Sequence, residues 1–280
     1  MGAEDPGRSR SASPRTAAAS PATQTLSALP HSLSRTVVIR APRALVFRYF
    51  TDSKRFAAWW GAGSSIDPRP GGEVLIRYPN ADVVRGTVEQ IVPDERIVFT
   101  YGYEDPAKPI PPGGSRVTIA LLDDDDGTRL DLRHELADPT VRDHHVPGWR
   151  YQLSVFANVV ANETHAHAAD AIDRFFAAWN ESDASRRRAG LEAVADRFIE
   201  FRDAFAAIRG VAELDEHIGA IHMHMPGVRL ERTSTPRHAQ GALLADWKAT
   251  RGAETTARGT NFFEFTPAGR IGCVFGFWSA

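Results

Sequence analysis

At 280 residues the chain exceeds the roughly 100–200 residues of one ordinary domain, so two domains are expected. Its 33 basic and 35 acidic residues nearly cancel, and no apolar run approaches the roughly 18 residues of a membrane helix, which excludes nucleic acid and membrane as expected partners. With 42% hydrophobic residues and one cysteine, Cys273, the composition is that of a soluble globular protein in a reducing, cytoplasmic compartment.

Residues 1–32 are rich in Ala, Ser, Pro and Arg with almost no large apolar side chains, and such a segment buries too little surface to offset its ordering entropy. A disordered tail is the reading; a targeting peptide competes, because acids are few after Asp5, but the apolar region of a secretory signal is missing. Order is expected from Leu33. SRTVVIRA reads as a strand, and Pro42 suits the first turn of a helix carrying Val46, Phe47 and Phe50. Asp52 or Ser53 then caps a short helix with Phe56, Trp59 and Trp60 on one face, stopped by Gly61 and Gly63.

Five strands follow up to His134: GEVLIRYP, ADVVRGTVEQIV, RIVFTYGY, RVTIALLDD and TRLDLRHEL. Turn residues separate them, and the acidic run Asp123–Asp126 beside Gly127 reads as a solvated hairpin tip, not a metal loop. A helix is expected to start at Pro147, with Trp149, Leu153, Phe156 and Val160 forming its apolar face. Laid on a curved antiparallel sheet, that face encloses a cavity.

In this order and spacing, APRALVFRYFTD, WWG, PGGEVLIRY, RGTVEQIVPDERIVFTY and PGWRYQLSVFANVV resemble the SRPBCC, or START-like, superfamily, and within it the activator of heat-shock protein 90 ATPase homologue family. The resemblance covers residues 33–162. It implies a helix-grip domain, an antiparallel sheet around a long C-terminal helix with a hydrophobic cavity between; it supplies no universal catalytic motif, and the chaperone role belongs to particular members. Trp59, Trp60, Trp149 and Phe156 are the expected lining, with one of Trp59 and Trp60 packing in the core and the other facing the cavity.

Only ETHA separates this helix from the next, AHAADAIDRFFAAWNESD, whose Ala168, Ile172, Phe175 and Trp179 repeat at helical spacing. So short a join implies close packing and limited relative motion. A further helix, ASRRRAGLEAVADRF, precedes the strands FIEFRDAF, VRLERTS, ALLADWKAT, GTNFFEF and RIGCVFGFW, with helix AELDEHIGAIH between the first two. The blocks FFAAWNESDA, Phe201–Gly210, HMPGVRLERT and TNFFEFTPAGRI resemble the SnoaL-like, or nuclear transport factor 2-like, superfamily over residues 163–280, which implies a cone-shaped α+β barrel around a pocket. The expected fold class is therefore α+β in two domains.

Strand alternation places Asp203 with Ile199, Phe201 and Phe205, Asn261 with Phe263 and Phe265, and Trp247 with Leu243 and Ala245. A carboxylate on an apolar face should be desolvated and its pKa raised, as a general base requires. The resemblance extends to ketosteroid isomerases, whose aspartate base matches Asp203, whose helix-one tyrosine is Phe175 here, and whose second aspartate is Asn261. Phenylalanine cannot donate to an oxyanion, so steroid isomerisation is not expected; the plain alternative is that Asp203 caps a turn. His222 and His224 share a face if extended, His217 points elsewhere, and no carboxylate or cysteine stands at ligand spacing, so neither a metal nor a cofactor is expected. His144 and His145 read as solvated, and Cys273 as core.

Three functions stay open. One is a two-domain binding protein for a small hydrophobic molecule, with Phe175, Trp179, His222 and Trp247 lining the second pocket. Another is a cyclase-, isomerase- or hydrolase-type enzyme with Asp203 as base and Asn261 or His222 orienting substrate. The third is a co-chaperone-like interaction module. A homodimer also stays open.

Overall fold

The computed structural model describes residues 29–279. The expected tail and any targeting role therefore lie almost wholly outside the described residues. Strand β1 (His31–Ile39) begins two residues before the expected start and leads through Pro42 into α1 (Arg43–Arg48) and α2 (Ser53–Trp60). Asp52 caps α2, its carboxylate accepting from the Arg55 N–H at 2.9 Å. Gly61 ends the helix at φ 146°, where a Cβ would lie 2.3 Å from the Arg77 carbonyl oxygen, so only glycine fits.

Strands β2 (Ser65–Ile66), β3 (Glu73–Arg77), β4 (Val83–Val92), β5 (Arg96–Tyr101), β6 (Ser115–Asp124) and β7 (Gly127–Leu136) join β1 in one antiparallel sheet, ordered β1-β7-β6-β5-β4-β3-β2. Strict alternation along β7 buries Thr128, Leu130, Leu132, His134 and Leu136. Across this sheet lies α3 (Pro139–Thr164), 26 residues or about 39 Å long. It starts eight residues before the expected Pro147, because Asp138 accepts from the N–H groups of Thr140 and Val141 at 2.7 and 3.0 Å and so caps the helix first. Pro147 sits inside the helix, where its missing N–H leaves the Asp143 carbonyl without the usual partner. Trp149, Leu153, Phe156 and Val160 face the sheet as their spacing requires.

After α3 come α4 (Ala168–Trp179), α5 (Ala184–Val194), β8 (Ala195–Arg202), β9 (Ala207–Arg209) and α6 (Val211–His224). Then follow β10 (Val228–Arg232), β11 (Arg237–Ala239), β12 (Ala242–Arg251), β13 (Glu254–Phe265) and β14 (Ile271–Trp278). The second sheet runs β10-β12-β13-β14-β8-β9, with β11 also on β12 and only the β14–β8 pair parallel. Its outer strands β10 and β9 do not pair, so the expected barrel is an open sheet covered by helices. A buried ion pair, Arg187 Nε donating to Asp215 Oδ1 at 2.7 Å, fastens α5 to α6. The hydrophobic side chains form two separate cores, one per sheet.

The two halves touch at the end of α3. Asn158 accepts from the Gln240 N–H at 3.1 Å, Asn162 meets His238, Arg40 pairs with Glu264, and His165 donates through Nε2 to the Thr266 carbonyl at 3.3 Å. On the other flank of α3, Arg55 forks onto Glu163 at 2.6 and 3.0 Å while the Tyr49 hydroxyl donates to the same carboxylate at 2.8 Å. The Arg55 guanidinium holds the Glu163 carboxyl below the usual carboxylate range, and burial holds the Tyr49 phenol above its own.

Candidate functional site

Each half holds a cavity walled by tryptophans, and the six tryptophans of the chain divide between these two three and three. The first, about 730 Å³, lies between α2, the β3–β5 side of the sheet and the N-terminal part of α3. Trp59, Trp60 and Trp149 line it, together with Tyr78, Tyr101, Tyr103 and His145. The two adjacent tryptophans both reach the wall but differ in backing. Trp59 packs on Phe50 and Phe156 at centroid distances of 5.7 and 4.8 Å, and its N–H reaches the Tyr49 carbonyl at 3.4 Å. Trp60 stands edge-on to Tyr78 and Trp149 at 5.6 and 5.7 Å, and its buried N–H meets no acceptor among the described residues. Phe156 is a correction: it is wholly buried against Tyr49, Phe50 and Trp59 and does not border the cavity, and of those three rings Trp59 alone is part of the lining.

Two polar chains run through this wall. In one, the Trp149 N–H donates to His134 Nδ1 at 3.0 Å, so the proton of the neutral ring sits on Nε2, which donates to Ser115 Oγ at 2.8 Å. Ser115 in turn donates to the Tyr101 carbonyl at 2.9 Å. Burial, helped by the neighbouring His145, pushes the His134 pKa down to about 3. In the other, the hydroxyls of Tyr78 and Tyr101 are 3.0 Å apart, Tyr101 donates to the Tyr103 hydroxyl at 3.1 Å, and Tyr103 lies 3.5 Å from His145 Nε2. His145 Nδ1 donates to the Val141 carbonyl, one helical turn back, at 2.8 Å. Burial raises the Tyr78 and Tyr101 phenols above their usual range and lowers His145 below its own.

His145 therefore corrects the expectation of a solvated residue: the early start of α3 turns it inward, while His144 stays exposed at the rim. The sequence did hold a signal for this cluster. Val74, Ile76 and Tyr78 share a strand phase, as do Phe99, Tyr101 and Tyr103, and as do Leu130, Leu132 and His134.

The second cavity, about 400 Å³, opens between α4, α6 and the second sheet. Phe175, Trp179, His222, Trp247, Asp203 and Asn261 all line it. Asn261 Oδ1 accepts the Trp247 N–H at 2.8 Å, which fixes the amide and leaves its NH2 group without a partner among the described residues. A Cβ on Gly276 would lie 3.2 Å from the Asp203 Cβ and 3.3 Å from Asn261 Oδ1, so the bare glycine is what lets these two polar groups flank one gap. The Trp179 N–H is buried with no acceptor among the described residues. Phe205, Met225 and Trp278 form an apolar rim, with Phe205 77% exposed.

Asp203 departs from the buried strand carboxylate expected. Strand β8 ends at Arg202, and Asp203 Oδ1 accepts from the N–H groups of Phe205 and Ala206 at 2.8 and 2.9 Å, which caps a turn and turns Phe205 outward. The histidines depart too, because residues 211–224 are helical. His222 and His224 then point to different sides, and His224 is exposed. His217 and His222 both border the cavity, His222 Nε2 donating to the Trp179 carbonyl at 2.7 Å and His217 lying against Trp179 and Phe201. Cys273 is half-buried, not core, and burial beside Glu200 and Glu264 pushes its thiol up to about 11, so it carries no thiolate near neutral pH.

The molecule is thus an α+β chain of two helix-covered sheets, each with an aromatic cavity. Residues 40–161 match the model of the family described as activator of Hsp90 ATPase homolog 1-like protein. Among solved structures, the chain is similar to an AHSA1-like protein from Rhizobium etli (30% identity, 48% of this chain and 85% of that one, TM-score 0.38). It is also similar to a SnoaL-like family protein from Agrobacterium tumefaciens (24% identity, 42% and 99%, TM-score 0.39). A third is the Aha1 dimer from Colwellia psychrerythraea (15% identity, 44% and 90%, TM-score 0.39). No curated protein matches the chain. No helix among the described residues is long and apolar enough to cross a membrane.

Proposed function

We propose that the chain is a two-domain small-molecule binding protein, residues 33–162 forming a helix-grip domain and residues 163–280 a SnoaL-like domain, each taking a small, mostly apolar molecule. The observation that carries the reading is the placement of all six tryptophans on the walls of two cavities within the size range of ligand pockets. The unpartnered indole N–H groups of Trp60 and Trp179, one in each wall, support it, since a buried donor without an acceptor is rare unless something else satisfies it. Each cavity is lined from one half of one chain, so the reading needs no second copy. Titration with N-phenyl-1-naphthylamine and other neutral apolar probes should quench tryptophan emission saturably. Linear, non-saturating quenching would overturn the reading and leave the interaction-module alternative.

A second reading makes the second cavity an enzyme site with Asp203 as base and Asn261 as donor, favoured by their convergence across Gly276. Asp203→Asn keeps the Oδ1 acceptor of the turn, so it should fold and bind. Turnover lost with binding retained supports catalysis; unchanged turnover removes it.

A further inference from the structure

The hydrogens of the tyrosine chain in the first cavity can point only one way. A carbonyl oxygen cannot donate, so the 2.8 Å contact with Val141 puts a proton on His145 Nδ1. The ring is neutral near pH 7, because burial and the neighbouring His144 disfavour its charged form, so Nε2 is a lone pair. Tyr103 then directs its single hydrogen to Nε2, Tyr101 directs its own to Tyr103, and the hydrogen between Tyr78 and Tyr101 comes from Tyr78. Every phenolic hydrogen is used, and the open end of the chain is the Tyr78 oxygen, which receives no hydrogen bond from the described residues. It is an acceptor with no spare donor.

The surroundings narrow what can meet it. Tyr78 stands edge-on to Trp60, and Trp60 edge-on to Trp149, so the phenol that carries the acceptor belongs to an aromatic, apolar part of the cavity lining. The charges lining the same cavity are paired: Lys108 Nζ bonds Asp82 Oδ2 at 2.9 Å, and its other near neighbour is the Tyr103 ring at 5.5 Å. A charged ligand would meet no unpaired lysine or carboxylate among the lining residues.

We infer that the first cavity selects a neutral, apolar molecule bearing a hydroxyl or N–H that donates to Tyr78 Oη, and discriminates against the same skeleton carrying only an acceptor. This deepens the binding reading and rests on it. Tyr78 is the residue that determines the preference, and Tyr101, Tyr103 and His145 set its polarity as positioning residues.

The probes are 2-naphthol and 2-methoxynaphthalene, which share a ring system and differ in the donor. Calorimetric titration of the full chain should show naphthol binding about tenfold more tightly, the size of one neutral hydrogen bond, although hydrophobicity alone favours the ether. In Tyr78→Phe the ether should keep its affinity within about twofold while the preference disappears. In Tyr103→Phe the Tyr101 hydrogen can turn back to Tyr78 and free the Tyr78 hydrogen for the cavity, so the preference should shift toward the ether. Packing roles for these rings would not move that ratio. Equal or reversed affinities in the unmodified chain, or a naphthol preference surviving in Tyr78→Phe, would overturn the inference and leave the binding reading standing. No binding of either probe to any of the three proteins would overturn both.

Discussion

In the first cavity two linked polar runs back the aromatic lining: Trp149, His134, Ser115 and Tyr101 form one, and Tyr78, Tyr101, Tyr103 and His145 form another. In the second they are local. Asp203 serves its own turn, Asn261 holds Trp247, and His222 holds the end of α4. Both walls are aromatic, yet a linked network fixes the direction of every hydrogen in it, while a set of local bonds leaves each group to be changed alone. The first cavity should therefore respond to perturbation as a unit and the second residue by residue.

Acid should separate them most strongly. His134 has its folded pKa depressed to about 3, so the unfolded chain takes up a proton that the folded chain refuses once the pH falls below the ordinary histidine value of about 6.5. Its contribution is fully present above pH 6.5 and lost progressively toward pH 3, a total of about 5 kcal/mol. Urea unfolding followed by near-ultraviolet dichroism across that window should show the loss, and a flat profile between pH 6.5 and 4 would break the contrast. Next in size is Phe156→Ala, which leaves a cavity behind Trp59 and should cost about 3–5 kcal/mol, read as a lower urea midpoint at unchanged slope.

Phe156 also marks how far sequence reasoning reached. Helical spacing placed it correctly on the buried face of α3, but whether a buried ring touches a cavity or stands one layer behind depends on which other ring forms the wall, here Trp59 from α2. The strands of both sheets were legible because alternation and turn residues agree along GEVLIRYP through TRLDLRHEL and again along ALLADWKAT and GTNFFEF. The start of α3 was not, because Pro147 and Asp138–Pro139 are both acceptable helix starts and only the cap bonds choose between them. That single displacement hid His145. Asp203 failed for a related reason: alternation assumes that the strand continues, and β8 stops one residue before it.

Glu163→Gln should sharpen the comparison at the join. It weakens the Arg55 fork and the Tyr49 bond while leaving the second core untouched, so a loss of about 1–2 kcal/mol should accompany faster proteolysis at residues 163–165 under native conditions. Rapid cleavage of the unmodified chain there would count against close packing of the halves. The smallest effect expected is that of Gly276→Ala, whose methyl would press on Asp203 and Asn261 at 3.2 and 3.3 Å. Probe binding in the second cavity should weaken by about twofold to fivefold with no change in the first, as local organisation requires.

The central claim, two separate binding cavities in one chain, is tested most directly by native mass spectrometry of the full chain titrated with N-phenyl-1-naphthylamine. Two molecules bound per chain at saturation is the result expected. A stoichiometry that stays at zero or stops at one would contradict it.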